Sequence, residues 1–331
     1  MATQNLAIIE AINLALGSEM GRDKDVVLLG QDIGRNGGVF RATLGLQEKY
    51  GVERVIDTPL AETLMAAMAI GLSTQGLKPV AEIQFSGFLY PCVDQVVNHA
   101  SRLRNRTRGR VTCPMVIRAP NWGGIHAPEH HSEPLETTFA QMPGLRVVCP
   151  SNPARAYGLL LAAIRDPDPV IFLEPTRCYR LFKAPVEDNG EALPLDSAFV
   201  DREGSDITLV SWGAMMYETH QAADQLAEQG ISAEVVDVAT IKPLDMDTIL
   251  TSVAKTGRCV IISEAPRAGS WASEIAANIA EHGLMSLFAP VMRVSGYDTI
   301  MPLAKNERAY IPDVERILKE VRKIFEIAPK G

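Results

Sequence analysis

Cysteine is scarce and poorly placed for metal or disulfide chemistry. The 331-residue chain holds five, Cys92, Cys113, Cys149, Cys178 and Cys259. No two form a Cys-x-x-Cys pair, which excludes an obvious zinc or iron–sulfur framework, and the odd count fits a reducing cytosol. Excess basic charge is also missing. A net charge of -8 argues against general binding to nucleic acid or to anionic membranes. No apolar run approaches the roughly 18 residues of a membrane span. The N-terminal MATQNLAIIEAINLAL lacks a basic region ahead of its apolar stretch. It reads as an amphipathic helix rather than a signal peptide, so the expected location is the cytoplasm. There is no GxSxG or SxxK nucleophile motif, no P-loop and no GxGxxG. The paired glycines of NGGVF (36–40) are explained by a tight turn without a phosphate.

What is present is apolar material in an alternating pattern. Hydrophobic residues make up 47% of the chain, and the length suggests about two domains. Strand-like runs at 26–30, 78–85, 114–120, 145–151 and 169–175 alternate with helical patterns at 59–76, about 90–106 and 154–166. The stretch 181–203, rich in Pro, Asp and Glu, breaks this pattern and reads as a connector. A second unit follows, with strands at 206–213, 233–239 and 258–265 and helices near 215–229, 245–256, 271–282 and 312–326. The alternation predicts an α/β fold of two parallel-sheet domains with helices on both faces. The expected domains are 1–180 and 204–331. Such folds host many chemistries, so function must come from sites.

Three stretches carry candidate chemistry. Arg102, Arg104, Arg106, Arg108 and Arg110 form R-L-R-N-R-T-R-G-R, but no aromatic interleaves them, and a subunit interface or a solvated helix end is favoured over RNA. DTPLAE (57–62) reads as a helix start, with Thr58 as cap, Pro59 at the first helical position and Glu62 in the first turn. Glu62 there either complements the helix dipole or serves in chemistry. The pattern from Leu60 to Leu72 predicts a helix buried nearly all round. Dry surroundings oppose a carboxylate at its head while the helix end favours it, a balance that proton transfer uses. GIHAPEHHSEP (124–134) holds His126, His130 and His131. His126 and His130 have the i,i+4 spacing of helical metal ligands, but Gly123, Gly124 and Pro128 predict a loop. Loops beyond the carboxyl ends of parallel strands are where ligands bind.

DTPLAE, AEIQFSGFLYP (81–91), HHSEPLETTFAQMPGLRVVCPSNP (130–153), AAIRDPDPVIFLEP (162–175) and AEVVDVATIKPLD (233–245) resemble one family in order and spacing. It is the β subunit of the thiamine-diphosphate-dependent E1 component of 2-oxoacid dehydrogenase complexes. The resemblance runs from about residue 4 to 327. It implies a pyrimidine-binding domain followed by a transketolase C-terminal-type domain. It also implies an α2β2 heterotetramer with an E1 α subunit, which supplies the diphosphate and Mg2+ site through a GDG motif and a paired asparagine. This chain contains no GDG, so the resemblance implies half an active site. Glu62 matches the cofactor-activating glutamate, which faces the pyrimidine ring nitrogen N1′. Leu60, Gln84 and Phe88 match residues of the pyrimidine pocket. His131 matches the histidine that acts during acyl transfer to the lipoyl domain of the E2 acyltransferase, whose subunit-binding domain also docks on this family. His126 and His130 carry no implied role. Met115, Ala163, Ile164, Asp166 and Asp168 match a K+ site of some members, built largely from backbone carbonyls. Gln31 stands where many relatives have an acid thought to join a path between two active sites. Gln31 cannot carry a proton the same way, Asp32 beside it offers a carboxylate, and no coupling is predicted from this stretch.

Phe88 and the surrounding FSGF look more like pyruvate-using members, which makes pyruvate the first expected substrate. A branched-chain 2-oxoacid comes next, then acetoin. A ferredoxin-linked oxidoreductase subunit is disfavoured by the missing cysteine clusters. A non-catalytic assembly subunit is disfavoured by the presence of Glu62 and His131.

Overall fold

Strand Val26–Gly30 reads VVLLG and is buried at every position, as a strand covered on both faces must be. In the computed structural model, which describes residues 3–328, it belongs to a seven-stranded sheet. The expected domain ends at residues 1 and 331 lie outside the described residues. The spatial order is Thr240–Lys242, Arg146–Val148, Val170–Pro175, Val116–Asn121, Lys78–Glu82, Val26–Gly30 and Val55–Asp57. All neighbours are parallel except the first pair. That exception matters, because Thr240–Lys242 comes from the second half of the chain and adds itself to the edge of the first sheet. The second sheet has five strands, ordered Met292–Gly296, Cys259–Pro266, Ile207–Ser211, Ala233–Asp237 and Phe199–Arg202. Its last pair is antiparallel and the rest are parallel.

The two sheets share a hydrophobic core. Ile117, Val147 and Leu173 of the first belong to one buried cluster with Val210, Val236 and Ile261 of the second. Trp122 of the first domain and Trp212 of the second are both buried. Gly213, at φ 54°, lies so close that a Cβ there would strike the Trp122 ring. The outer face of the second sheet packs on helix Val314–Ile327 through Ile317, Leu318, Val321 and Ile324.

The predicted α/β alternation is present, with informative departures. The helix expected over 59–76 spans Glu62–Thr74. Thr58 does not cap it. Its N–H instead donates to Gly30 O at 2.9 Å, extending the strand pairing, and Ala61 precedes the first turn without a side-chain cap. The helix expected near 90–106 is broken into Ser86–Cys92, Val93–Asn98, Ala100–Arg102 and Leu103–Arg106. The break falls at His99, at φ -123° and ψ -65°. The arginines of this stretch bond to freed carbonyls: Arg102 Nε to Val97 O at 2.9 Å and Arg106 Nη2 to Asn98 O at 2.7 Å. The stretch 181–203 contains two short strands. Ala184–Glu187 pairs with Thr3–Leu6, and Phe199–Arg202 edges the second sheet. Helix Ala304–Tyr310 was not expected from the pattern.

Beneath the carboxyl ends of the first sheet lies a buried ionic knot. Arg118 bonds Glu174 through Nε and Nη2, at 2.7 and 2.8 Å, and contacts Glu82 through Nη1. Tyr179 donates to Glu174. All four side chains are buried. Desolvation pushes the Glu82 carboxyl up, with Arg118 opposing. Removing one partner of such a group strands the others without counter-charge. Arg118→Met is therefore expected to lose about 3–5 kcal/mol of stability, measured by denaturant unfolding. A loss below about 1 kcal/mol would contradict the assignment.

Candidate active site

Glu62 opens helix Glu62–Thr74, with its side chain half-buried. Its Oε1 accepts a hydrogen bond from Gln31 Nε2 at 3.1 Å, and Gln31 follows directly on strand Val26–Gly30. Gln31 Oε1 is itself buried without a partner among the described residues. The helix start is tied to the neighbouring turn Ser86–Cys92. Thr63 Oγ1 donates to Pro91 O at 3.0 Å, and the Cys92 thiol donates to Glu62 O at 3.4 Å. Burial, reinforced by Glu62, pushes that thiol up to about 12, so it stays a neutral donor.

The same turn carries an aromatic wall. Phe85 and Phe88 stand edge-to-face at 6.0 Å, and both rings contact His131, at 4.4 and 5.0 Å between centroids. Phe40 adds a further edge contact to Phe85 at 5.4 Å. The Nδ1 of His131 lies 2.9 Å from Glu129 O, which fits an N–H donated there and leaves Nε2 as the free nitrogen. Gly87 makes this assembly possible, since a Cβ there would collide with the His130 carbonyl. Gln84 sits half-buried in the bend before the turn. The structure thus joins Glu62, Phe88 and His131 through touching elements. Leu60, at 83% exposed, and Leu64, at 53%, flank the glutamate with no cover. This corrects the expectation of a helix buried nearly all round: apolar side chains at and beside the helix start stand uncovered.

The loop that delivers His131 is held from the second domain. Glu307, buried on helix Ala304–Tyr310, accepts from Gly124 N at 2.7 Å and from His126 N at 2.9 Å. Its Oε2 also lies 2.9 Å from His126 Nδ1. Glu264, at the end of strand Cys259–Pro266, accepts from Gly123 N and pairs with Arg177. The loop backbone is unusual, with φ of 68°, 97°, 56° and 69° at Trp122, Gly124, His126 and His130. Non-glycine residues tolerate such values only when their surroundings hold them. His126, assigned no chemistry from sequence, therefore serves the loop. Glu264 and Glu307 were not found from sequence. They lie some 140 to 180 residues from their partners, and no local pattern marks them.

Glu136, five residues beyond His131, is fully buried. Its Oε1 accepts from Trp212 Nε1 at 3.4 Å, and Oε2 has no partner among the described residues. Desolvation pushes its carboxyl up to about 7. The residues matched to a K+ site lie at the opposite, amino end of the sheet. There Arg146 Nε binds Asp166 Oδ2 at 2.8 Å, and Arg104 Nε binds Asp168 Oδ1 at 2.7 Å. The Met115 carbonyl accepts from Val170 N at 3.0 Å. Arginines already neutralise both carboxylates, so a cation there would depend on carbonyl oxygens.

Two outcomes are expected. Glu307→Gln should speed amide hydrogen exchange across 122–131 about tenfold or more while helix Pro153–Arg165 stays protected; unchanged loop exchange would contradict the clamp. Glu136 has a folded value of about 7 against an ordinary 4.5. Its contribution to stability is thus fully present below the unfolded value and lost as pH rises through about 7. Glu136→Gln should therefore exceed the parent at about pH 8 by on the order of 3 kcal/mol, and match it near pH 4, in urea titrations. A variant that keeps the parent's pH slope would contradict the assignment.

Comparison with known proteins agrees with this architecture. Residues 4–181 match the family described as transketolase, pyrimidine binding domain, and residues 196–317 match transketolase, C-terminal domain. The chain is 46% identical over 324 residues to the pyruvate dehydrogenase E1 component subunit beta of Acholeplasma laidlawii, covering 98% of this chain and 99% of that protein. It is also 46% identical over 321 residues to the 2-oxoisovalerate dehydrogenase subunit beta of Bacillus subtilis (strain 168), covering 96% and 98%. A solved structure described as a split gene transketolase, inactive beta4 tetramer, superposes with a TM-score of 0.79 at 23% identity over 98% of this chain and 99% of that one. At that identity it speaks to fold alone. The matches span both domains, and with them the glutamate, aromatic wall and histidine loop just described, so the chain belongs to the family of 2-oxoacid dehydrogenase E1 β subunits, built from a transketolase pyrimidine-binding domain and a transketolase C-terminal domain.

Proposed function

We propose that this chain is the β half of a thiamine-diphosphate-dependent pyruvate dehydrogenase E1 component. With an α subunit it would catalyse oxidative decarboxylation of pyruvate and acetylation of the lipoyl group of an E2 acyltransferase. The observation that carries the reading is Glu62: half-buried, oriented by Gln31, and tied to the turn that bears Phe88 and the rings around His131. A carboxyl oriented by an amide, on a helix start tied to a turn that bears aromatic rings, fits a flat, nitrogen-bearing ring such as an aminopyrimidine. Thiamine diphosphate, when bound, supplies the electron sink for decarboxylation of a 2-oxoacid.

The chain's own residues take the remaining roles. Glu62 holds a proton at the pyrimidine N1′. Gln31, whose amide cannot relay a proton as a carboxylate would, fixes the orientation of Glu62. Phe88, Leu60 and Gln84 line the pyrimidine pocket. His131, pinned through Nδ1, offers Nε2 for proton exchange during acyl transfer to the lipoyl group. Mg2+ would be held by the α subunit in an α2β2 assembly, with Leu60 and Leu64 in the contact. The E2 subunit-binding domain would dock on the C-terminal domain. K+ would bind through the carbonyls of Met115, Ala163 and Ile164 near Asp166 and Asp168. The reading places the protein in the cytoplasm. No described helix is long and apolar enough to cross a membrane. A branched-chain 2-oxoacid is the competing substrate, because the 2-oxoisovalerate dehydrogenase relative is also 46% identical.

The purified chain should show no decarboxylase activity alone and gain it with α subunit, Mg2+ and thiamine diphosphate, turning over pyruvate faster than branched-chain acids. Activity without the partner would defeat the half-site reading, and the reverse preference would transfer it to branched-chain acids. Glu62→Gln in the reconstituted pair should lose about 10²–10⁴-fold in kcat; near-parental turnover would leave Glu62 a helix-dipole residue. His131→Ala should impair lipoyl acylation more than decarboxylation, and equal losses would contradict that division.

A further inference from the structure

A cleft lies in the C-terminal domain beside helix Val314–Ile327, and its reading is independent of the active-site reading. It has a volume of about 280 Å³ and is lined by Arg267, Arg293, Arg316 and Lys319, with Glu320 as the one carboxylate in its lining. In a chain of net charge -8, such a concentration of cations is not expected by chance scatter. Arg267 follows strand Cys259–Pro266, and Tyr297 follows strand Met292–Gly296. These are neighbouring parallel strands, and the cleft runs along the outer one, from Arg293 to Tyr297 at the edge of the sheet, against helix Val314–Ile327, which supplies Arg316, Lys319 and Glu320.

The guanidinium groups of the cleft bond mainly to backbone carbonyls. Arg267 Nη1 donates to Arg293 O at 2.8 Å, and Arg293 Nη1 donates to Arg267 O at 3.2 Å. Arg316 Nη1 donates to Tyr310 O at 3.0 Å, and its Nη2 donates to Ser295 O. Arg316 also lies over the Tyr297 ring at 4.8 Å. Backbone carbonyls and a ring fix the guanidinium planes without cancelling their charge. Glu320 is occupied with Lys323 at 2.6 Å. Asp298 is spent on Ala268 N at 2.8 Å. Burial and the neighbouring Arg267 hold Arg293 below its ordinary range, with Asp298 opposing. Fixed guanidinium forks with spare N–H groups are complementary to tetrahedral oxyanions.

We propose that this cleft is a binding site for a phosphate-bearing small molecule, seated by Arg267, Arg293 and Arg316, with Lys319 at its edge. Three fixed forks around so small a volume suit a phosphate or diphosphate group better than an extended acidic peptide. Free phosphate and the phosphates of a nucleotide share this chemistry.

The test uses the αβ complex saturated with thiamine diphosphate and Mg2+, so that the cofactor's own diphosphate site is filled. Inorganic phosphate, inorganic diphosphate and ADP are titrated by calorimetry at constant ionic strength, with chloride as control and a poly-glutamate peptide as competitor. Saturable binding of diphosphate or ADP at one site per chain is expected. It should weaken at least about tenfold in Arg316→Gln and in Arg267→Gln, each removing one charge-assisted fork. ADP tighter than diphosphate identifies a nucleotide, and equal affinities identify a simple phosphate group; both support the site. No saturable binding, binding unchanged in both variants, or poly-glutamate binding more tightly than diphosphate would overturn the proposal. Arg267 is exposed, which makes its variant the control should Arg316→Gln unfold.

Discussion

Arg118 is the constraint on which the site depends. Its guanidinium joins three neighbouring parallel strands near their carboxyl ends by binding Glu82 on one side and Glu174 on the other. Each strand then releases one element of the site. Strand Lys78–Glu82 leads to the turn with Phe85 and Phe88. Strand Val116–Asn121 leads to the loop ending at His131, and strand Val170–Pro175 leads to Arg177. A shift of one strand end relative to its neighbours would misplace rings that must meet within 4.4–6.0 Å. Burying Arg118 and its two carboxyl partners is costly, and their mutual bonds offset that cost only in a fixed geometry. The knot thus exchanges stability for registration of the strand ends.

The second domain acts on the site through carboxylates rather than through catalytic groups. Glu264 and Glu307 accept main-chain N–H groups that an irregular loop would otherwise leave unpaired beside the core. Their bonds hold backbone angles that isolated residues would avoid. The edge strand Thr240–Lys242 and the close packing of Trp122 on Gly213 fix the two domains against each other, which gives these carboxylates a rigid base. The His131 loop is therefore defined by the domain pair. The uncovered side of Glu62 is defined by neither, consistent with a family whose β subunits work with an α chain.

Much of the fold was legible in sequence, because buried parallel strands such as VVLLG and VIFLEP advertise themselves as short apolar runs. The helices predicted near 215–229 and 245–256 end where Gly230 and Gly257 adopt positive φ. The short strands Val55–Asp57 and Thr240–Lys242 were not, since three residues carry too little periodicity. The Thr58 cap failed because a strand-extending bond to Gly30 took its backbone instead. Within the site, Glu62 and His131 stood out through the family resemblance. Gln31 was noted for the acid it replaces, but its bond to Glu62 required the fold. Glu136, Glu264 and Glu307 gave no local signal, because their partners lie in distant segments.

The central claim is that Glu62 and the rings beside it form the pyrimidine half of a shared cofactor site. It is tested most directly by a crystal structure of the chain with its α partner and thiamine diphosphate. The account predicts the Glu62 carboxyl within hydrogen-bond distance of the pyrimidine N1′, Phe88 against the ring, and α-subunit residues covering Leu60. A pyrimidine ring bound elsewhere, or Glu62 facing solvent in the assembled complex, would contradict it.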